Sequence, residues 1–285
     1  MAVVQARRRV GADSNGSGGG TGLSPGEQPP LARMDNLSVR WGSRTVLDRV
    51  NLSLAASERL VVVGPSGAGK STVLRLLAGL LLPSSGRLEL HGVPQTYLRL
   101  DQRHPPDVRL VFQNPALLGS LTVGENVGFL LYRFSRLSER EIREQVRSAL
   151  EAVGLSGIEE QMPGELSGGM QKRVSFARAL IQDPTRKQDQ MPLLLFDEPT
   201  AGLDPVACTR IEDLIVSTTA MAQASSVVVS HVHSTIERSG TRVVLLYEGH
   251  FRWCGSVEEY RTTTDPYVVQ FRSGSLRGPM QPAEL

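Results

Sequence analysis

The glycine-rich segment at residues 64–71 constrains the fold of this chain more than any other feature. It reads GPSGAGKS, which fits the pattern G-x-x-x-x-G-K-[ST], and it lies between an apolar run at 60–63 and an apolar stretch that begins at Lys70. A strand, a glycine-rich turn and a helix in this order form a nest of backbone N–H groups at the positive end of the helix, which suits phosphate. We expect the Lys70 ammonium to reach the β- and γ-phosphates of a nucleotide and the Ser71 hydroxyl to face Mg²⁺. The predicted phosphate-binding residues are Gly64, Pro65, Ser66, Gly67, Ala68, Gly69, Lys70, Ser71 and Thr72.

Two adjacent carboxylates follow a second apolar run. Residues 193–198 read LLLFDE, so the run ends in Asp197 and Glu198. Taken alone, this pattern also fits a strand that enters a charged turn. Beside a phosphate loop, it predicts that Asp197 holds Mg²⁺ and that Glu198 acts as general base on the attacking water. The two side chains can serve different roles because neighbouring residues of a strand point in different directions.

Short strands and helices alternate along most of the chain. The clearest helix covers 138–153, where Ser138 and Glu141 fit a capping box and apolar residues recur at helical spacing. This alternation predicts an α/β fold with a mainly parallel sheet covered on both faces. A helical block at about 115–183 interrupts it and is interpreted as an inserted lobe. The predicted strands lie at 36–41, 50–54, 60–63, 87–91, 109–113, 193–197, 226–230 and 242–247, and a second helix lies at 70–82.

The first 33 residues differ in composition from the rest. Residues 11–30 contain seven glycines and three prolines, so this leader is predicted to be disordered. The three arginines at 7–9 and the scarcity of acids are typical of a transit peptide, and a flexible tail without a targeting role fits as well. The chain has a net charge of +2, and the residues after 33 carry equal numbers of acidic and basic side chains, which argues against nucleic acid as a main partner. No apolar run approaches the roughly 18 residues that cross a bilayer. We therefore expect a soluble protein, or one held at a membrane by its partners.

A motif at residues 166–170 points to a family. It reads LSGGM and precedes a helical stretch. With the phosphate loop and the paired carboxylates, it resembles the signature of the ATP-binding cassette (ABC) ATPases, whose last residue is usually glutamine rather than Met170. The resemblance covers residues 34–250. It implies a P-loop NTPase fold: an ABC nucleotide-binding domain at 34–255, with a small antiparallel β subdomain and the inserted helical lobe, followed by a C-terminal tail at 256–285.

The resemblance also implies roles for single residues. Gln113 resembles the Q-loop glutamine that senses Mg²⁺, and His231 resembles the switch histidine that contacts the γ-phosphate. Residues 201–204 resemble the D-loop. Trp41 sits where family members place an aromatic ring against adenine, which suits its π-face. The implied ligands are ATP and Mg²⁺, with Glu198, His231 and Gln113 as the catalytic set and Ser71, Gln113 and Asp197 around the metal.

The signature motif implies a dimer. Ser167 and the backbone N–H groups of Gly168 and Gly169 begin a helix and form a second anion site. In ABC ATPases this site closes on the ATP that the other subunit holds. A chain with one phosphate loop and one signature needs a second copy to complete its sites, so we expect a head-to-tail homodimer around two ATP molecules.

Two details favour one branch of the family. With Met170, the signature resembles the LSGGM of Mce/Mla-type lipid transporters. The segment 270–279 reads QFRSGSLRGP and resembles their QF-x-x-G-x-x-x-GP ending, and further residues resemble the plastid members. This resemblance implies glycerolipid import, with phosphatidic acid as a candidate cargo, by an ATPase on the stromal face of the inner chloroplast envelope. The implied partners are an integral-membrane permease and an Mce-domain lipid-binding protein, and we expect the tail to contact the second ATPase subunit. A bacterial cytoplasmic location at the inner membrane is the alternative.

Other functions stay open at the level of the sequence. An ATPase for another solute importer differs from this interpretation only at Met170 and the tail. A single-cassette ATPase of iron–sulfur assembly also fits. An inactive scaffold fits poorly because the ATPase motifs are complete.

Overall fold

The computed structural model describes residues 29–103, 105–184 and 190–281. The predicted leader falls mainly on residues 1–28, which lie outside the described residues. The strands are β1 (Ala32–Trp41), β2 (Arg44–Leu54), β3 (Arg59–Val63), β4 (Ser85–Leu90), β5 (Val93–Pro94), β6 (Val108–Val111), β7 (Leu193–Asp197), β8 (Ser225–Val229), β9 (Arg242–Tyr247) and β10 (His250–Ser256). The helices are α1 (Lys70–Leu77), α2 (Val123–Phe134), α3 (Glu139–Ala152), α4 (Gly168–Leu180), α5 (Pro205–Met221), α6 (His233–Ser239), α7 (Val257–Thr262) and α8 (Pro266–Ser273).

A six-stranded sheet forms the centre of the fold, in the spatial order β10-β9-β3-β8-β7-β6. Its strands pair in parallel except that β10 joins the edge antiparallel to β9. Alternate residues are buried on opposite faces: Val61 and Val63 belong to a core cluster with residues of α2 to α6, whereas Leu60 and Val62 belong to one with α1 and the second sheet. Burial on both faces explains why these strands read as continuous apolar runs. The predicted α/β fold with a mainly parallel sheet is confirmed.

The second sheet is antiparallel and has the order β2-β1-β4-β5. Its first strand begins before the predicted domain boundary at residue 34, because Leu31 and Ala32 are already buried. Its second strand begins at Arg44 rather than at residue 50. The register between β1 and β2 shifts at three places, and Asn36 has a φ of +46°. These irregularities interrupt the alternation of apolar and polar residues, which hid the first half of β2 from the sequence pattern.

Helices α2, α3 and α4 form the lobe between β6 and β7, which are neighbours in the sheet. The insertion therefore leaves the sheet continuous. Thr122 with Glu125 and Ser138 with Glu141 form reciprocal capping boxes at the starts of α2 and α3, so the predicted capping box at Ser138 is confirmed. In the described part of the chain, no helix has the length and apolarity that a membrane span requires.

Two predicted elements are shorter in the structure. Helix α1 ends at Leu77 rather than at residue 82, because Gly79 takes a φ of +69° and its carbonyl accepts a hydrogen bond from the Arg99 N–H at 2.8 Å. Strand β6 ends at Val111, so Gln113 lies in the following loop and not at the end of the strand.

The C-terminal residues fold against the domain rather than leaving it. Strand β10 runs through the predicted boundary at 255, and α7 and α8 follow. On α8 the buried Gln270 side chain holds residues 275–280: its Nε2 donates to the carbonyls of Met280 at 2.7 Å and Ser275 at 3.2 Å, and its Oε1 accepts from the Met280 N–H at 2.7 Å. The Gln281 N–H donates to the Tyr247 hydroxyl at 3.0 Å. Residues of the QF…GP ending thus contact their own domain, and a contact with a second subunit stays a prediction.

We expect Gln270→Ala to lower the free energy of unfolding by about 1–3 kcal/mol, because it leaves the buried backbone groups of Met280 without partners. Urea denaturation of the full chain measures this change. The variant should also become sensitive to trypsin after the exposed Arg277 under native conditions. Val269→Ala, in the same helix but partly exposed, is the matched control. Unchanged stability and an intact tail after trypsin would contradict this account.

Candidate nucleotide site

The phosphate loop joins β3 to α1, and its backbone requires glycine at two positions. Gly64 has a φ of +149°, and a Cβ there would lie 2.1 Å from the carbonyl oxygen of Leu246 in β9. Gly69 has a φ of +107°, and a Cβ there would lie 3.1 Å from the carbonyl oxygen of Val46. The Gly69 carbonyl accepts the N–H of Thr72 at 3.0 Å, which starts the helix. Only glycine adopts such conformations without strain, so the loop can close tightly between the two sheets.

Lys70 bends back over this loop. Its Nζ donates to the carbonyl oxygens of Gly64 at 2.9 Å and Pro65 at 3.0 Å. Burial lowers the pKa of the Lys70 ammonium, and the nearby Glu198 and Asp197 oppose this shift. The ammonium is therefore held at the loop where a phosphate would bind, with carbonyl partners that a phosphate oxygen can replace.

Ser71 and Asp197 meet across the gap between α1 and β7. The Ser71 Oγ donates to the Asp197 Oδ1 at 3.3 Å. Burial raises the pKa of the Asp197 carboxyl; the Ser71 hydrogen bond counters this rise, and the neighbouring Glu198 adds to it. A partly buried pair of hard oxygens beside a second carboxylate is suited to a divalent cation with oxygen ligands.

Glu198 and His231 approach each other at the carboxyl ends of β7 and β8. The Glu198 Oε2 lies 2.9 Å from the His231 Nδ1, at an ion-pair distance. This oxygen is buried and makes no hydrogen bond to the described residues. The Glu198 backbone is fixed in the left-handed region, with a φ of +46°, and its N–H donates to the Val229 carbonyl at 3.0 Å. A buried carboxylate that is held in a fixed position beside a histidine suits the role of a general base.

The signature residues lie on the surface. Ser167 caps α4 by accepting the Met170 N–H at 3.3 Å, and Gly168 and Gly169 are exposed, with open space where a Cβ would stand. Met170, at the position where the family usually has glutamine, packs against the core cluster under the lobe. Among the described residues, no hydrogen bond joins Ser167–Gly169 to the phosphate loop. The helix start is thus presented outward.

The remaining predicted residues stand apart from these pairs. The exposed Gln113 makes no hydrogen bond through its side chain to Ser71 or Asp197 in the described chain. Trp41 is half exposed at the turn between β1 and β2. In the D-loop, the Asp204 carboxylate accepts the N–H groups of Val206 at 2.9 Å and Ala207 at 3.0 Å, which caps α5.

Two cations on α4 were not predicted, and they join the lobe to the site. The Lys172 Nζ donates to the carbonyls of Pro199 at 3.1 Å and Ala201 at 2.9 Å, just after Glu198. Arg178 donates to the carbonyls of Pro115 and Ala116 at 3.1 and 2.9 Å, just after Gln113. Burial lowers the pKa of both side chains. The only sequence signal was a set of three cations, Lys172, Arg173 and Arg178, in a helix whose other residues are largely apolar or small.

We expect Lys172→Met to lower the free energy of unfolding by about 1.5–3 kcal/mol, because hydrogen bonds from a charged group to two carbonyls are lost. Chemical denaturation measures this change. Arg147→Met is the control, because this exposed arginine of the same lobe forms no hydrogen bond or ion pair with the described residues. Equal stability of the two variants would show that the Lys172 contacts contribute nothing.

Comparisons with known proteins agree with this geometry. A sequence model of the ABC transporter family matches residues 47–201. The chain is 46% identical over 251 residues to Protein TRIGALACTOSYLDIACYLGLYCEROL 3, chloroplastic, of Arabidopsis thaliana, an alignment that covers 85% of this chain and 73% of that protein. It is 34% identical to the intermembrane phospholipid transport system ATP-binding protein MlaF of Haemophilus influenzae, over 88% and 93% of the two chains. It is 35% identical to the Fe(3+) ions import ATP-binding protein FbpC of Escherichia coli O157:H7, over 86% of this chain and 67% of that protein.

Solved structures show the same architecture. A dimeric ATP-binding cassette bound to ADP and Pi superposes with a TM-score of 0.68 at 27% identity, over 80% of this chain and 99% of the other. The predicted ABC nucleotide-binding fold and the predicted ATPase activity are confirmed by these matches. The chain belongs to the ABC transporter family and is one of its ATP-hydrolysing subunits.

Proposed function

We propose that this chain is the Mg²⁺-dependent ATPase subunit of a transporter that moves glycerolipid across the inner chloroplast envelope. It would work as a homodimer on the stromal face, with a separate permease and an Mce-domain protein. One observation carries the lipid assignment: the identity to the chloroplastic relative is 46%, against 34–35% for the bacterial phospholipid and iron transport relatives. Met170 and the QF…GP ending support the same branch.

The chain's own residues account for hydrolysis. Lys70 would exchange its carbonyl partners for the β- and γ-phosphates of ATP. Glu198 would accept the proton of the attacking water, and His231, 2.9 Å from its Oε2, would hold that carboxylate in place.

The residues present also fit Mg²⁺. Ser71 Oγ and Asp197 Oδ1 offer two hard oxygens, the kind of donor that Mg²⁺ prefers, and would hold the ion. Residues 29–103, 105–184 and 190–281 contain no group of three or more His, Cys, Asp or Glu side chains that could bind a metal without a nucleotide. This agrees with an ion held mainly by its nucleotide. When bound, Mg²⁺ neutralises the charge that develops on the phosphates. Gln113, whose side chain makes no hydrogen bond to Ser71 or Asp197 among the described residues, is proposed as a further ligand.

The proposed dimer follows from the outward-facing signature. Gly168 and Gly169 leave open space at the start of α4, so a second subunit can bring the γ-phosphate of its ATP to the free N–H groups there. Two copies of the chain would then complete two equivalent sites.

We expect Glu198→Gln protein to be a monomer without nucleotide and a dimer with Mg²⁺ and ATP in analytical ultracentrifugation, because bound ATP is not consumed. Adding Gly168→Asp should abolish the dimer, because a carboxylate at the helix start repels the phosphate. Gly119→Asp, at a glycine with equally open surroundings in the loop between β6 and α2, should leave it intact. A Glu198→Gln protein that stays monomeric with ATP would refute the proposed dimer.

A groove on the lobe, lined by both apolar and charged side chains, fits a permease segment. It lies between α2 and α3, has a volume of about 480 Å³, and is lined by Leu121, Phe129, Tyr132 and Val146 together with acidic and basic side chains. Leu118 and Leu130 extend the exposed apolar surface beside it. Through Arg178, the lobe is also joined to the loop that follows Gln113. A partner in this groove could therefore act on the nucleotide site.

Purification of the tagged chain from plastid membranes, followed by mass spectrometry, tests the whole proposal. We expect a multi-span permease and an Mce-domain protein. Phe129→Ser should lose the permease but keep ATP binding, whereas Met221→Ser, at an exposed apolar residue of α5, should keep both. Recovery of a solute permease or of iron–sulfur assembly proteins would leave the ATPase intact and refute the lipid assignment.

A further inference from the structure

A buried chain of polar side chains connects the two loops that carry Glu198 and His231. Its members are Glu212 of α5, Thr235 of α6 and Thr200 of the loop after β7. The exposed fractions of Glu212 and Thr235 are 0%, and that of Thr200 is 2%. None of the three was predicted as a functional residue from the sequence, and none takes part in the chemistry described above.

The hydrogen bonds within this network of buried side chains have a defined direction. The Thr235 hydroxyl donates to the Glu212 Oε1 at 2.9 Å, and the Ser234 hydroxyl donates to the same oxygen at 2.6 Å. The Thr235 and Thr200 hydroxyl oxygens are 3.0 Å apart. A hydroxyl has one proton to donate, and the Thr235 hydroxyl donates it in the hydrogen bond to Glu212. In the hydrogen bond between the two threonines, Thr200 is therefore the donor and Thr235 the acceptor. Glu212 thereby orients both hydroxyls.

The charge on Glu212 has one partner at the surface. The Arg238 Nε lies 3.4 Å from the Glu212 Oε2, and the Arg238 Nη2 donates to Asp213 at 3.0 Å. A carboxylate with no exposure is costly to bury, and an apolar side chain of similar size often gives equal or greater stability. Stability alone therefore does not account for a glutamate at this position.

This network of hydrogen-bonded side chains joins two segments of the protein that lie close in sequence to Glu198 and His231. Thr200 lies two residues after Glu198, and Thr235 lies four residues after His231, in the helix that begins at His233. The Thr200–Thr235 bond is thus a cross-link between the loop of the general base and the helix behind the switch histidine. The two segments that it joins also meet where Glu198 approaches His231 to 2.9 Å.

We propose that Glu212 is a positioning residue of the ATPase, which acts through Thr235 and Thr200 to hold His231 against Glu198. None of the three residues belongs to the predicted nucleotide or metal site. Loss of the network should therefore slow hydrolysis without weakening ATP binding, because a carboxylate that is free to shift spends less time in its reactive position.

The test uses the full chain and single-turnover hydrolysis of ATP, with rates normalised to the concentration of ATP-binding sites. Thr200→Val removes the cross-link and keeps the Thr235–Glu212 bond. We expect its rate constant to fall about tenfold, with the affinity for ATP within about twofold of the parent. Thr200→Ser, which keeps a hydroxyl, should restore the rate. Thr218→Val is the matched control, because Thr218 is a buried threonine of α5 whose hydroxyl has no partner among the described residues.

A double-mutant cycle separates positioning from a general loss of structure. If the network acts through the histidine, Thr200→Val should have little further effect in a His231→Ala background. Glu212→Gln should share the rate loss of Thr200→Val, because an amide at this position no longer matches both the hydroxyls and Arg238. Equal rates for Thr200→Val and Thr218→Val, or a tenfold loss that persists with His231→Ala, would overturn the proposal.

Discussion

The parallel pairing of β3, β8 and β7 is the constraint on which the site depends. Val62 of β3 is paired with Val229 of β8, and Val229 is paired with Asp197 of β7. The carboxyl ends of neighbouring parallel strands meet at one edge of a sheet. This register therefore brings together the phosphate loop, the paired carboxylates and the loop that carries His231. Because the strands are buried on both faces, the edge is rigid and the residues that follow each strand have fixed starting points.

The lobe is fastened to this edge by contacts of two kinds. Phe176 of α4 stacks on Phe196 of β7 with ring centroids 5.3 Å apart, which is an apolar contact beneath the site. Lys172 and Arg178, on either side of Phe176 in the sequence, donate to backbone carbonyls next to Glu198 and next to Gln113. A rotation of the lobe therefore changes the surroundings of both loops at once. This coupling gives a physical route from a partner bound at the lobe to hydrolysis.

The back of the site is held in a similar way by polar groups. Thr200, Thr235 and Glu212 tie the D-loop side to α6, and the aromatic ring of Phe271 in α8 packs against His233 on the other side of that helix. The sequence indicated an appended tail, but the described C-terminal residues pack against α6. The Gln270 amide fixes these residues through its two hydrogen bonds to the backbone of Met280.

The sequence by itself determined the phosphate loop, the two carboxylates, the signature and the parallel α/β fold, because each depends on local spacing. A glycine pattern between a strand and a helix has few conformations, and continuous apolar runs have few places to be buried. The tertiary structure alone decided the extent of β1 and β2, the folding of the described C-terminal residues onto the domain, and the contacts of Lys172, Arg178 and Glu212. Those features depend on residues distant in sequence, such as Lys172 and Pro199 or Glu212 and Thr235, and no periodic pattern marks which buried polar group will meet which partner.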